Sequence, residues 1–254
     1  MIRSFAKGVL IGITCICLLA LSWLFLFRPS LAQYEASKLK AAFVQIGPGG
    51  NSGVLLPPCS NAENEKQPDL VALQAQYPDV KAWLSIPGTR VDYPVLQSSA
   101  ADPEYYLRRN FKGEYRTAGS LFFQADCSMD GKTLIVYGHD MNDGSMFGCL
   151  PRYLGSGYCS RHSQIQLQTS DGIRQYAVAA ALETDISRIP FNRSTFTDDA
   201  DFLAFAQSLL DAAGMKTRVP ISADSQLLIL VTCSYSWPEA RYVIVAVREW
   251  EKGA

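Results

Sequence analysis

Three residues of this chain have types and positions suited to acyl-transfer chemistry. His139 follows the apolar segment 133–137 after a single glycine, and this arrangement fixes an imidazole at the edge of a sheet. Cys233 ends the apolar run 227–232, and Arg241 lies eight residues further on, where the next apolar segment begins. A tight hairpin between these two segments brings the guanidinium close to the thiol. We therefore expect the three side chains to lie at neighbouring strand ends.

A cysteine, a histidine and an arginine in this arrangement form a consistent set for nucleophilic catalysis. A nearby cation stabilises the thiolate, which is the reactive form of cysteine, and an arginine also donates to an oxyanion. From spacing alone a structural role stays open, because a buried cysteine at a strand end is usually a small apolar residue. The other histidine, His162, lies among polar residues and is predicted to be solvated surface.

The elements that position these residues are mainly short strands. Apolar segments separated by turn signals recur along the chain, which is typical of a barrel or a sandwich. The predicted strands are residues 82–86, 91–96, 119–123, 133–137, 164–168, 175–182, 226–232 and 241–250. A short helix is predicted near residues 70–80. A second helix is predicted over residues 197–213, ahead of Gly214, inside a long connection of the kind that is often functional.

The N-terminal region predicts a membrane anchor. Residues 8–27 contain no charge, and a helix of that length, at about 1.5 Å per residue, spans about 30 Å of hydrocarbon. Arg3 and Lys7 precede the run, so the positive-inside rule keeps residues 1–7 in the cytoplasm and exports the rest. A cleaved signal peptide, cut near residues 30–32, is the alternative. The length of the run favours an uncleaved signal-anchor.

The region after the anchor is predicted to be a juxtamembrane segment and linker, residues 28–68. Residues 31–40 continue as a helix above the membrane, and the glycines and prolines of residues 47–58 break any regular pattern. Residues 41–68 are therefore interpreted as a spacer that holds a domain away from the bilayer. The catalytic domain is predicted to be residues 69–254.

Composition excludes several functional classes. The chain has 254 residues, of which 48% are hydrophobic and 19% charged, so it is neither disordered nor fibrous. A formal net charge of −1, with no basic stripe, argues against a nucleic-acid partner. Cysteines predicted to be exported are Cys59, Cys127, Cys149, Cys159 and Cys233. Their odd number leaves one thiol over, whether or not the other four are bridged. No zinc-type Cys/His spacing is present, so no zinc site is expected.

Nine short blocks share the order and spacing of a known family. They are DVKAWLSIPGT (79–89), VDYPVLQ (91–97), YYL (105–107), NF (110–111), AGSLF (118–122), YGHDM (137–141), MF (146–147), LVTC (230–233) and RYVIV (241–245). Taken together, these blocks resemble the sortases of Gram-positive bacteria, in particular class B, over residues 69–250. Any single block is a weak signal, whereas the combination is highly specific.

The resemblance implies both a fold and a mechanism. The fold is a closed eight-stranded β-barrel with an N-terminal helix and a helix inserted in the long loop before the cysteine strand. Cys233 attacks a carbonyl within a sorting motif near the C-terminus of a secreted protein and forms a thioacyl-enzyme. His139 protonates the departing amine, and Arg241 holds the substrate backbone and the oxyanion. An amine of a peptidoglycan precursor, or a pilin lysine, resolves the thioester without ATP or a cofactor.

The resemblance also implies a set of substrate-binding residues and a location. The residues are Leu107, Phe191, Asn192, Thr232 and Ser234. The enzyme is expected at the cell membrane as a single-pass protein with an extracellular catalytic domain. Two departures put substrate preference in question: Val231 stands where class B relatives often have serine, and residues 191–194 carry no distinctive motif. No acidic cluster resembles the calcium site of class A relatives, so no metal is required.

Alternative functions stay open at this point. Wall anchoring and pilin polymerisation share the same chemistry, and the lack of a further apolar span after Trp250 favours wall anchoring. An exported cysteine peptidase or amidase would hydrolyse the thioester instead, so an amine acceptor in the product discriminates against it. A non-enzymatic, wall-facing binding module is the third alternative, and it would keep its function when Cys233 is replaced by alanine.

Overall fold

The computed structural model describes residues 13–18, 28–44 and 67–249. Residues 13–18 are helical and belong to the predicted anchor, residues 8–27, whose other residues lie outside the described part. No helix within the described ranges combines the length and the hydropathy needed to cross a bilayer. The transmembrane anchor therefore stays a prediction.

Strands in the described residues form one closed sheet. They are β1 (Val80–Ser85), β2 (Asp92–Gln97), β3 (Leu121–Phe123), β4 (Thr133–Tyr137), β5 (Gln164–Thr169), β6 (Gly172–Thr184), β7 (Met215–Lys216), β8 (Leu227–Cys233) and β9 (Arg241–Glu249). Their order is β5-β1-β2-β3-β4-β8-β9-β6, and a β5–β6 pairing closes the ring. The two-residue strand β7 pairs only with β6. The predicted eight-stranded barrel is confirmed.

Helices surround this barrel. They are α1 (Arg28–Phe43), α2 (Leu70–Gln76), α3 (Ser156–Arg161) and α4 (Asp199–Asp211), with 3-10 helices at Tyr105–Arg108 and Leu150–Leu154. The helix predicted over residues 197–213 is α4, and it interrupts the connection from β6 to β8. Its N-cap is Asp198, whose carboxylate accepts the main-chain N–H of Asp201 at 2.8 Å.

Alternation along the strands divides the apolar residues into two main layers. On β8, Leu228 and Leu230 point into the barrel, whereas Ile229 and Val231 point outward. The outward residues pack with Phe202 and other apolar residues of α4. We call the side of β4, β8 and β9 that points away from the barrel interior the outer face. The inserted connection, which contains α4, covers this face. Any side chain that leaves this face near a strand end lies beside that connection.

Helix α1 packs against the barrel. Ala36 and Leu39 are buried, and the Lys40 ammonium lies 2.8 Å from the carboxylate of Asp92 at the start of β2. The same carboxylate accepts the indole N–H of Trp83 on β1 at 2.6 Å. Helix α1 is therefore fixed to the barrel by both apolar and polar contacts.

The two ends of the predicted spacer, residues 41–68, lie together. Helix α1 extends into it as far as Phe43, whose carbonyl accepts the N–H of Asp69 at 2.7 Å. Val44 and Pro68 form an isolated antiparallel bridge. Because its ends are paired, this segment does not set a distance between α1 and the barrel. The sequence pattern predicts breaks in local structure, but it carries no information on where the flanking residues dock.

A stability prediction arises from the contact of α1 with Arg116. This guanidinium donates to Glu35 of α1 at 2.7 Å and to Glu114 at 2.9 Å, and the Glu35 side chain is the less exposed carboxylate, at 20% against 53%. We expect Glu35→Gln to lower the free energy of unfolding by about 1 kcal/mol. Glu114→Gln is the matched control. It should lower the free energy of unfolding by less than about 0.5 kcal/mol, because solvent screens exposed ion pairs. Urea unfolding measures both. Equal losses of unfolding free energy in the two variants would show that burial of the Glu35 contact adds nothing to stability.

Candidate active site

The pairing of β4 with β8 brings His139 and Cys233 to one edge of the barrel. These strands are parallel, and Tyr137, the last residue of β4, lies opposite Val231. His139 and Cys233 each lie two positions further along their own chains. Parallel strands in register end at the same edge. The main chain therefore leaves the sheet at the same edge near both His139 and Cys233, although the two residues are 94 positions apart in sequence.

Hydrogen bonds hold these two strand ends together. The N–H of Gly138 donates to the carbonyl of Val231 at 3.1 Å. The Thr232 hydroxyl, itself buried, donates to the carbonyl of Gly138 at 2.7 Å. Both bonds involve the residue immediately before His139, so they fix its main chain relative to Cys233.

Arg241 lies beside Cys233 as the first residue of β9. The two are directly paired across the antiparallel β8–β9 ladder, so their side chains project from the same face at neighbouring positions. Both residues are half-buried. The Arg241 guanidinium donates to the main-chain carbonyl of Ala240 at 2.9 Å and to the exposed carboxylate of Glu239 at 3.1 Å.

The thiol and the guanidinium lie on the outer face. Cys233 follows Ile229 and Val231 in the alternation of β8, and Arg241 precedes Val243 and Val245 in that of β9. These four apolar residues all belong to the layer under the inserted connection. The thiol and the guanidinium thus lie at one edge of the outer face, and the strand end that leads to His139 reaches the same edge of the barrel.

His139 is oriented by a main-chain group. Its Nε2 lies 2.8 Å from the carbonyl oxygen of Leu107, and because a carbonyl only accepts, this nitrogen carries the proton. Nδ1 is then the nitrogen left for proton exchange. Burial lowers the pKa of His139 below its ordinary value, and the nearby charge of Arg108 adds to the lowering, whereas the contact with Leu107 opposes it. The imidazole is therefore neutral in the free protein at neutral pH.

A titration measures this pKa shift. We expect His139 to titrate below the ordinary histidine value of about 6.5. The unfolded chain then binds a proton that the folded protein does not, so the contribution of His139 to the free energy of unfolding decreases as the pH falls below about 6.5. NMR titration of the imidazole carbon protons, assigned by comparison with a His139→Gln variant, gives the midpoint. A midpoint at or above about 6.5 would contradict the expected shift.

Three of the predicted substrate-binding residues have buried side chains. Thr232 bonds Gly138, and Phe191 packs in the apolar layer under the inserted connection, where it is 3% exposed. The Ser234 hydroxyl donates to a carboxylate oxygen of Glu183 on β6. Their side chains thus stabilise the fold around the site, and their contacts with substrate stay predictions.

Asn192 and Leu107, the other two predicted substrate-binding residues, act here through their main chains. The carbonyl of Asn192 accepts the side-chain amide of Gln124 at 2.8 Å. Gln124 in turn accepts the hydroxyl of Tyr137 at 2.8 Å. The inserted connection is thereby tied to the end of β4, close to His139. Asn192 also lines an open polar cleft with Asp126.

The loop between Cys233 and Arg241 is fixed by contacts that no sequence signal predicted. The indole N–H of Trp237 donates to the carboxylate of Asp185 at 2.9 Å, and the guanidinium of Arg188 lies 4.7 Å from the Trp237 ring. These contacts join the loop to the residues that follow β6. Glu183, Asp185 and Trp237 belong to no block of the family pattern, and their proximity depends on the β6–β9 pairing.

The other described cysteines do not compete for the role of nucleophile. Cys127, Cys149 and Cys159 are free thiols with little or no exposure. Burial raises the pKa of all three, that of Cys127 to about 11, so their thiolates are disfavoured. Cys59 lies outside the described residues. Cys233, at a half-exposed strand end beside a cation, is the thiol best placed to react.

Comparisons with known proteins agree with this geometry. The sortase domain family matches residues 84–249. Sortase B of Listeria monocytogenes is 32% identical over 178 residues, which are 68% of this chain and 70% of that protein. The Staphylococcus aureus sortase B–substrate complex superposes with a TM-score of 0.66 and 27% identity, covering 72% of this chain and 85% of that one. A sortase B complexed with triglycine gives 0.65 and 27%, covering 72% and 86%. The matched region contains Cys233, His139 and Arg241.

Proposed function

This chain belongs to the sortase family as a cysteine transpeptidase of class B, and we propose that Cys233 is its nucleophile, His139 its acid–base residue and Arg241 its oxyanion donor. One observation carries the assignment. The register of β8 with β4 and with β9 puts Cys233, Arg241 and the strand end that leads to His139 at one edge of the barrel, and this supports the assignment.

In the acylation half-reaction, Nδ1 of neutral His139 takes the proton of the Cys233 thiol, and the resulting thiolate attacks the carbonyl carbon of the scissile peptide bond. Negative charge develops on the carbonyl oxygen, where the guanidinium of Arg241 donates hydrogen bonds. The bond to the leaving nitrogen breaks as His139 transfers a proton to it through Nδ1. The products are a thioester on Cys233 and a free amine, and the imidazole is left neutral.

In the deacylation half-reaction, an acceptor amine attacks the thioester carbonyl. Neutral His139 removes a proton from the attacking amine, Arg241 again stabilises the oxyanion, and the Cys233 thiolate leaves. A new amide bond replaces the old one. Because the thioester conserves the acyl group between the two steps, no ATP or cofactor is needed.

The substrates follow from the same family chemistry. One solved relative holds a substrate and another holds triglycine. For this chain the donor is a secreted protein that carries a C-terminal sorting motif, and the acceptor is an amine of a peptidoglycan precursor. Both meet at the outer face of the cell membrane, where residues 8–27 anchor the enzyme and leave its catalytic domain extracellular.

A cleavage screen tests this function. The full-length protein in detergent micelles is incubated with a peptide library and with triglycine or a diamino acid as acceptor, and mass spectrometry identifies the products. Transpeptidation predicts a product whose mass is that of the acyl fragment plus the acceptor. If every product carries water, however high the acceptor concentration, the enzyme is a hydrolase. If no peptide is cleaved by an enzyme that binds it, the protein is a binding module.

A further inference from the structure

The imidazole of His139 has an unusual orienting group. Catalytic histidines are commonly held by a carboxylate or an amide side chain, which sets the tautomer. In the described part of this chain, the hydrogen-bond partner of the His139 ring is instead the main-chain carbonyl of Leu107, at 2.8 Å. Whatever fixes that carbonyl also fixes the ring.

The carbonyl of Leu107 lies against a glycine that has no room for a side chain. Gly119 is buried and has a φ of +58°, and a Cβ built on it would lie 2.2 Å from the Leu107 oxygen and 2.7 Å from the Leu107 carbonyl carbon. No flexible side chain is available to absorb this overlap, because the contacts are with main-chain atoms. An alanine at this position must therefore displace the carbonyl.

Hydrogen bonds hold the two segments in this close approach. On either side of Leu107, the carbonyl of Tyr106 accepts the N–H of Ser120 at 3.0 Å, and the carbonyl of Arg108 accepts the N–H of Arg116 at 3.0 Å. The segment that presents the carbonyl to His139 is thus clamped to the segment that contains Gly119. A displacement at the glycine cannot be taken up elsewhere without breaking these bonds.

We propose that Gly119 is a positioning residue of the active site: its missing side chain lets the Leu107 carbonyl reach Nε2 of His139 and so keeps Nδ1 facing the reacting atoms. Gly119 touches neither substrate nor thiol and acts only through Leu107. The inference rests on the proposed role of His139 in catalysis. The position of the proton on the ring, however, is a property of the free protein and can be measured without activity.

Two matched variants separate this role from a general backbone effect. Gly119→Ala introduces the overlap with the Leu107 carbonyl. Gly144 has a similar φ of +77°, but nothing lies within 4 Å of the Cβ that Gly144→Ala adds. Both variants carry the same conformational cost of a positive φ, so only the first displaces the carbonyl. We expect Gly119→Ala to lower kcat by about 10- to 100-fold with a small change in KM, and Gly144→Ala to stay within about threefold of the unchanged protein.

The ring nitrogens provide a readout that a merely structural role would not move. In ¹⁵N spectra at neutral pH, His139 of the unchanged protein is expected as the Nε2–H tautomer. Gly119→Ala, checked for folding by circular dichroism, is expected to show a tautomer mixture, and Gly144→Ala the unchanged pattern. If Gly119→Ala does not fold, the spectrum of the unchanged protein still tests the proposal, because an Nδ1–H tautomer there would overturn it.

Different failures of this experiment have different meanings. An Nδ1–H tautomer in the unchanged protein overturns the proposal, as does a folded Gly119→Ala with unchanged kcat and an unchanged tautomer. A protein that shows the Nε2–H tautomer but never transfers an acyl group overturns the proposed function instead, while the orienting role of the Leu107 carbonyl stands.

Discussion

Replacing Cys233 with alanine is expected to abolish the thioacyl-enzyme and to reduce turnover by about 10⁴-fold or more, as loss of the nucleophile does in other acyl-transfer enzymes. No other described thiol is expected to substitute, because burial raises the pKa values of Cys127, Cys149 and Cys159 and so disfavours their thiolates. Mass spectrometry of the intact protein after incubation with a cleaved peptide detects the acyl adduct directly.

The control for this prediction is a second cysteine of the same chain. Cys127 accepts the N–H of Ile135 at 3.4 Å, and Cys127→Ala should leave both the adduct and the turnover intact in folded protein. Peptide binding to Cys233→Ala should persist, because the substitution removes only the thiol. An adduct that survives in Cys233→Ala, or that disappears in folded Cys127→Ala, would move the nucleophile to another residue.

The barrel was predictable because its strands carry strong local signals. β4, at Thr133–Tyr137, has the bounds that its apolar run predicts, and α4 lies within the segment that its one-sided apolar pattern indicates. The spacing of apolar residues and the positions of turn residues are local properties, so a single sequence is enough to identify them. Cys233 and His139 were identified at strand ends for the same reason.

The orientation of individual side chains was less predictable. Thr232 and Ser234 flank the nucleophile in sequence, and the family resemblance implies that both contact substrate. Because side chains alternate along a strand, Thr232 points away from the face that carries Cys233, and its hydroxyl bonds Gly138. Ser234 bonds Glu183, which is 51 residues away in sequence. Proximity in sequence to a catalytic residue therefore does not give the direction in which a side chain points.

Contacts between distant segments were not predictable at all. The overlap that a side chain at Gly119 would make with Leu107 depends on a positive φ and on a main-chain approach between two segments. The docking of α1 depends on pairs such as Lys40 with Asp92, which are 52 residues apart. Neither leaves a periodic trace in one sequence, so only the three-dimensional structure shows them.

Arg241→Ala is expected to reduce kcat/KM by about 10²- to 10³-fold, the usual cost of removing an oxyanion donor. Arg241→Lys should recover only part of this loss, because an ammonium keeps the charge but lacks the planar fork that donates two parallel hydrogen bonds. Arg161→Lys is the matched control: it changes an exposed arginine at the end of α3 and should stay within about threefold of the unchanged protein.

The division of this loss between kcat and KM distinguishes two roles of the guanidinium. If Arg241 stabilises the oxyanion, its hydrogen bonds strengthen only in the transition state, and Arg241→Ala lowers kcat while KM changes little. If Arg241 only holds the substrate backbone, KM rises and kcat is retained. Its direct pairing with Cys233 across the β8–β9 ladder places Arg241 next to the nucleophile, which favours the first result. Near-normal turnover in Arg241→Lys would exclude a two-bond interaction, because a point charge would then be sufficient.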